Sequence, residues 1–187
     1  YFCKAIDYTH RLGAPLSYIT PPNAVDDSTR QRWTDSLLKL ADHAGLQKVR
    51  LCIEHFPNRL LPTVVSTLEF LQQTGHDQLA LLVDVGHCLI SSEEPAQVIS
   101  DAGKWLGYVH FDDNDGQEDH HWPLLTGKLT EEKLRNTLQA LQVQHYQGGL
   151  CLELHPEIDD PVSSLQRGKA LLELHKVKPN SHTIPSG

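Results

Sequence analysis

Four residues of the kinds that bind metal ions and move protons stand at the ends of four apolar runs. Glu54 closes VRLCIE, Asp84 closes LALLVD, His110 closes LGYVH and Glu153 closes GLCLE. Carboxylate oxygens and an imidazole nitrogen suit hard to borderline divalent cations: Mn²⁺ first, then Mg²⁺, Co²⁺ or Zn²⁺. One acidic strand ending is common by chance. Four in succession, each separated from the next by room for a β/α unit, predict side chains that converge from adjacent strand ends. That is how a (β/α) barrel assembles chemistry, at the C-terminal ends of its parallel strands.

Other candidates cluster near these four. Asp84 and His87 form a D-x-x-H pair within LVDVGHCL, with Gly86 permitting a tight turn between them. His87 reads as a further ligand, a substrate contact or an ordinary loop histidine. The stretch after His110, HFDDNDGQEDHHWPLLTGKL, is rich in acids, so it reads either as a solvated loop or as a second binding element. Within it Asp119 and His121 could take substrate or a further metal. His55 is a weak candidate, because strand alternation would turn it away from Glu54. His155 lies near the same mouth without an assigned role. His10, His43, His76, His145 and His175 read as ordinary surface residues.

The elements that must position these residues follow from periodicity. The strands at 15–20, 49–54, 79–84, 105–110 and 148–153 are continuous apolar runs, as expected for parallel strands covered by helices. Helices are predicted over 1–13, to about 44 from a cap at Asp27 or Ser28, over 62–73, 95–103, 130–143 and 161–176. Gly13, Gly45 and Gly75 serve as stops. Alternation of strand and helix gives an α/β fold with one domain over 1–176, and the tail 177–187 is predicted to be disordered. A closed barrel of this type has eight strands and about 250 residues. Five strands in 187 residues, no methionine, and an opening (YFCKAIDYTHRLGAP) that reads as mid-helix leave two readings: an open α/β fold, or a TIM barrel with about three β/α units missing upstream.

Composition narrows the function classes. The formal net charge of −8 disfavours nonspecific binding to nucleic acid or anionic lipid. No apolar run approaches the ~20 residues that span a bilayer, and no signal-peptide pattern opens the chain. The four cysteines are isolated, with no C-x-x-C pair, which predicts reduced structural thiols and a cytoplasmic protein.

With these residues assembled, the chain resembles the sugar phosphate isomerase/epimerase superfamily. These are xylose-isomerase-like TIM barrels that include ketose 3-epimerases, inosose dehydratases and the AP endonuclease family 2 relatives. The resemblance spans about residues 5–175 and rests on LGAPLSYITPP, LCIEHFPN, LVDVGHCL, YVHFDDND, DHHWPLLTGKL and LCLELH. It implies that the chain carries strands four to eight of a TIM barrel lacking its first three β/α units, with one divalent metal held by Glu54, Asp84, His110 and Glu153. Glu54 and Glu153 would also be the catalytic acid/base pair, and His87 would contact substrate oxygens. It further implies a small carbohydrate substrate and a homo-oligomer, while the acidic charge and the lack of a spanning run speak against nucleic-acid and membrane partners.

Three positions depart from the family pattern. Gly116 stands where epimerases often carry an arginine, Leu125 replaces the first glycine of a P-x-G-x-G turn, and Thr20 stands where the nucleases have a histidine ligand. Asp119 and His121 match the nucleases' third-metal pair, which many sugar isomerases keep. The implied activity is isomerisation or epimerisation through an enediolate. The alternatives are a dehydratase of the same fold, an AP-endonuclease-like phosphodiesterase, and a non-catalytic degenerate barrel.

Overall fold

The computed structural model describes residues 1–23 and 26–174. The predicted tail at 177–187 and His175 lie outside the described residues. Five strands form one parallel sheet in sequence order: β1 (Leu16–Ile19), β2 (Arg50–Glu54), β3 (Leu79–Asp84), β4 (Leu106–Phe111) and β5 (Leu150–Leu152). Among the described residues, β1 and β5 each have one neighbour. The sheet is thus an arc of a (β/α) barrel, as the strand pattern predicted.

A helix backs every strand. Helix α1 (Phe2–Arg11) lies on β1, α2 (Asp27–Leu46) on β2, α3 (Val64–Thr74) on β3, α4 (Val85–Ile90) on β4 and α7 (Pro161–Leu174) on β5. Helices α5 (Pro95–Ala102) and α6 (Glu131–Val143) pack on one another. No described helix is long and apolar enough to cross a membrane.

Local chemistry sets the boundaries. The Asp26 carboxylate accepts the Thr29 N–H at 2.8 Å, so α2 is capped one residue before the predicted Asp27. That helix runs through Gly45, and the chain turns instead at Lys48, in the left-handed region at φ 57°. Helix α3 begins with a reciprocal Thr63–Ser66 capping box and ends on Gly75, as read from the sequence, whereas Pro62 lies before the cap. Helix α4 was not predicted. It has only six residues, too few for a periodic signal, and it is set by the Asp84 side chain accepting the His87 N–H at 2.7 Å.

Strand alternation sorts the core into two faces. Ile53, Leu81, Val83, Val109 and Phe111 join the large cluster beneath the helices. Cys52, Ala80 and Leu82, with Leu16 and Tyr108, form a smaller cluster on the opposite face. Gly107 lets the strands close there: a Cβ on it would meet Cys52 Sγ at 2.6 Å and Ala80 Cβ at 2.8 Å. Full burial of each leucine contributes about 1.5–3 kcal/mol. Glu54, Asp84 and His110 share parity with the smaller cluster, so the same packing that buries it aims them at the barrel axis.

Candidate metal centre

The register brings the predicted residues together. Asp84 pairs with His110 across β3 and β4, and β2 ends on Glu54 beside β3. Glu153 follows β5 directly, and its N–H donates to the Phe111 carbonyl at 3.1 Å, which extends the parallel ladder to that residue. One donor atom from each of Glu54, Asp84, His110 and Glu153 lies within 4.8 Å of the others, an arrangement that could hold a metal ion.

His110 Nδ1 lies 3.4 Å from Glu54 Oε1, 3.7 Å from Asp84 Oδ2, and in contact with Glu153 Oε2. These are ion-pair contacts without hydrogen-bond alignment: Asp84 Oδ2, His110 Nδ1 and Glu153 Oε2 all lack a hydrogen-bond partner. Glu54, Asp84 and His110 are buried, whereas the Glu153 side chain is 34% exposed. Orphaned buried donors and acceptors that face one point are costly. They fit a divalent cation, which accepts lone pairs from all four at once.

The electrostatics carry the same strain. Burial opposes charge on His110, but the carboxylates of Glu153, Glu54 and Asp84 outweigh it and push its pKa up to about 10. Burial and the nearby Asp112 hold the Asp84 carboxyl well above the ordinary range. Contact with His110 lowers that of Glu153. A cation at this centre would compete with the proton that the carboxylates favour on His110.

The three predicted substrate contacts border this centre. His87 Nδ1 donates to the His55 carbonyl at 2.9 Å, which turns Nε2 to Asp119 Oδ2 at 3.2 Å. Burial lowers the His87 pKa, but Asp84 and Asp119 prevail and raise it to about 9. His121 sits at φ 50°, in the left-handed region, with Nε2 3.3 Å from Asp119 Oδ2 and Nδ1 2.9 Å from Asp112 Oδ2. Asp112 is the member that sequence reasoning missed. It is fully buried, neither carboxylate oxygen has an aligned partner, and with Asp119 and His121 it makes a second group that could hold a cation. Only its place just beyond a strand end marked it, amid an acid-rich loop.

The remaining candidates fall elsewhere. His55 belongs to neither group: its Nε2 lies 3.2 Å from both the N–H and the carbonyl of Asp84, and burial pushes its pKa down to about 3. Thr20 Oγ1 accepts from Arg59 at 3.1 Å. Gly116 lines a separate cleft with Lys128 and Glu93. His43 and His76 are more than surface residues, since they contact Asp7 and Asp42 at 2.7 Å and 3.2 Å and tie neighbouring elements.

Comparison with known proteins gives a family match over residues 1–174, to the model described as xylose isomerase-like TIM barrel. L-ribulose 3-epimerase of Mesorhizobium japonicum is 31% identical over 119 residues, covering 60% of this chain and 38% of that protein. An inosose dehydratase of Lacticaseibacillus casei is 23% identical over 148 residues, covering 67% of this chain and 49% of that protein. The chain therefore spans less than two thirds of the length of these relatives. The crystal structure of the IOLI protein with a zinc atom superimposes with a TM-score of 0.75 at 19% identity, covering 94% of this chain and 67% of that one.

Proposed function

The chain belongs to the xylose isomerase-like TIM barrel family, and on that premise we propose that it is a divalent-metal-dependent isomerase or epimerase of a small hydroxy-carbonyl sugar. The observation that carries this reading is the convergence of Glu54, Asp84, His110 and Glu153 from four strand ends. A divalent cation held by these four would act as a Lewis acid toward the substrate's carbonyl and adjacent hydroxyl. Mn²⁺ is the first choice because three of the four donors are carboxylates. The zinc in the IOLI structure makes Zn²⁺ the second metal to test.

Glu54 and Glu153 are the acid/base pair. They reach the centre from β2 and from the end of β5, so two carboxylates flank one substrate plane. One takes the proton from the carbon beside the carbonyl, giving an enediolate, and the other returns a proton. Return to the opposite face of the same carbon is epimerisation, whereas return to the neighbouring carbon is isomerisation. His87 and the Asp119–His121 pair hold substrate hydroxyls. Their partly or fully buried polar groups orient the ligand and exclude bulk water.

The test is calorimetric titration of metal-stripped protein with Mn²⁺, repeated on Glu153→Gln, followed by a ketose screen in deuterated water. Expected are one tight binding event weakened at least ~10-fold by the substitution, and solvent deuterium in the product. Absence of metal binding would sink the proposal. A product with conjugated ultraviolet absorbance would instead support a dehydratase, the reading favoured by similarity to the L. casei relative.

A further inference from the structure

Beside the centre, outside the four strand-end donors, lies a cleft of about 780 Å³. This is within the ~300–1,000 Å³ of small-molecule sites. One wall is the connection from β4 to α6 and the other is the connection from β5 to α7. The His155 N–H donates to the His121 carbonyl at 3.0 Å and ties the two walls together. Trp122 is fixed through its backbone, accepting from Asp113 at 3.0 Å and donating to it at 2.7 Å.

The left-handed turn at His121 divides this segment's side chains. The His121 imidazole faces Asp112 and Asp119, while His120 and Trp122 line the cleft. Their rings stack in parallel, with centroids 4.5 Å apart and planes 4° apart. Asp119 belongs to both places, since its Oδ2 reaches His87 and His121 and the residue also lines the cleft. Asp119 thus joins the cleft to the His87 and His121 imidazoles that border the centre.

We propose that this cleft is a distal subsite for a second sugar ring, so that the preferred substrate is a glycoside or disaccharide rather than a free monosaccharide. The inference rests on the sugar-modifying function proposed above. A sugar ring has electropositive C–H groups on its faces and hydroxyls around its rim. The rings of the His120–Trp122 pair, which line the cleft, offer aromatic surface to the former. Glu157 and Asp159 accept from hydroxyls, and Arg167 donates to them, so the cleft matches both parts of the ring. Both acids are exposed, so they accept such bonds with little desolvation cost.

The test measures binding of maltose, cellobiose and glucose to the whole chain by calorimetry, apart from any turnover. At least one disaccharide should bind ~10-fold or more tightly than glucose, a difference of about 1.4 kcal/mol. Trp122→Ala should abolish that preference and leave glucose binding unchanged. Asp159→Ala, at an exposed position that does not threaten folding, should reduce the preference. Equal affinities or no sugar binding at all would each overturn the subsite. Disaccharide binding without turnover of any ketose would leave the subsite standing and remove the epimerase reading. Turnover of a free ketose with no disaccharide preference would do the reverse.

Discussion

Gly86→Ala tests how tightly the Asp112–Asp119–His121 group, which could hold a cation, is built. An ideal Cβ at Gly86 would lie 2.1 Å from Asp112 Oδ1, 2.7 Å from its Cγ and 2.8 Å from Oδ2. All three are far inside van der Waals contact. Asp112 has no exposed surface into which it can swing, and His121 Nδ1 lies 2.9 Å beyond its other oxygen. One methyl group must therefore displace a buried carboxylate or the start of α4. Overpacking of this kind costs about 1–3 kcal/mol. For a chain of this size, 1 kcal/mol moves Tm by about 2–4 °C, so the expected fall is roughly 2–12 °C. Differential scanning calorimetry of the metal-stripped protein reads it. Gly45→Ala is the control: its Cβ meets only the flexible Gln78 side chain, at 3.1 Å, and alanine is favoured within a helix by about 0.8–1.0 kcal/mol. A Gly86→Ala protein as stable as the wild type would refute the packing argument. It would mean that Asp112 moves freely and that the second group is not pre-formed.

Other expectations follow from the same geometry. Raised pKa values of about 10 for His110 and about 9 for His87 contribute stability that is fully present below the unfolded value near 6.5. It is lost as pH rises through those values, and the raised Asp84 carboxyl acts in the same direction. Metal-stripped protein should therefore have a lower Tm at pH 9 than at pH 6, and added Mn²⁺ should restore more stability at pH 9. A flat profile would count against the proton-loaded centre. Asp113→Ala should destabilise by about 1–3 kcal/mol or more in urea unfolding, because the Asn114, Gly127 and Leu129 amides lose their acceptor. A loss below about 0.5 kcal/mol would mean that water replaces the carboxylate.

The strand-end donors were legible in the sequence because two signals coincide at each. An apolar run defines a buried strand, and a carboxylate or imidazole ends it where the barrel mouth lies. Asp112 lies just beyond a strand end already claimed by His110, so its place there gave little notice. It sits in an acid-rich stretch, and its burial depends on Gly86, 26 residues earlier, leaving room for its carboxylate. The same limit hid the Trp122–His120 stack. It depends on the left-handed turn at His121, at a residue type that gives only weak notice of φ above zero. Helix α4 was missed for a local reason, since six residues leave no periodicity to read.

Asp84 carries the link between folding and chemistry furthest. Its Oδ1 accepts the His87 N–H and starts α4, while its Oδ2 has no aligned partner and faces His110 at 3.7 Å. The cap fixes the carboxylate's rotation, and so decides which oxygen remains for a cation. The same turn carries His87 to the edge of the centre, where its Nδ1 bond to the His55 carbonyl directs Nε2 outward to Asp119. One aspartate thus ends a strand, begins a helix, leaves an oxygen for the metal and aims a neighbouring imidazole. Asparagine at this position could keep the cap through its amide oxygen but would direct a neutral amide, rather than a charged oxygen, at His110. Folding and metal affinity would then separate, because only the second requires the charge.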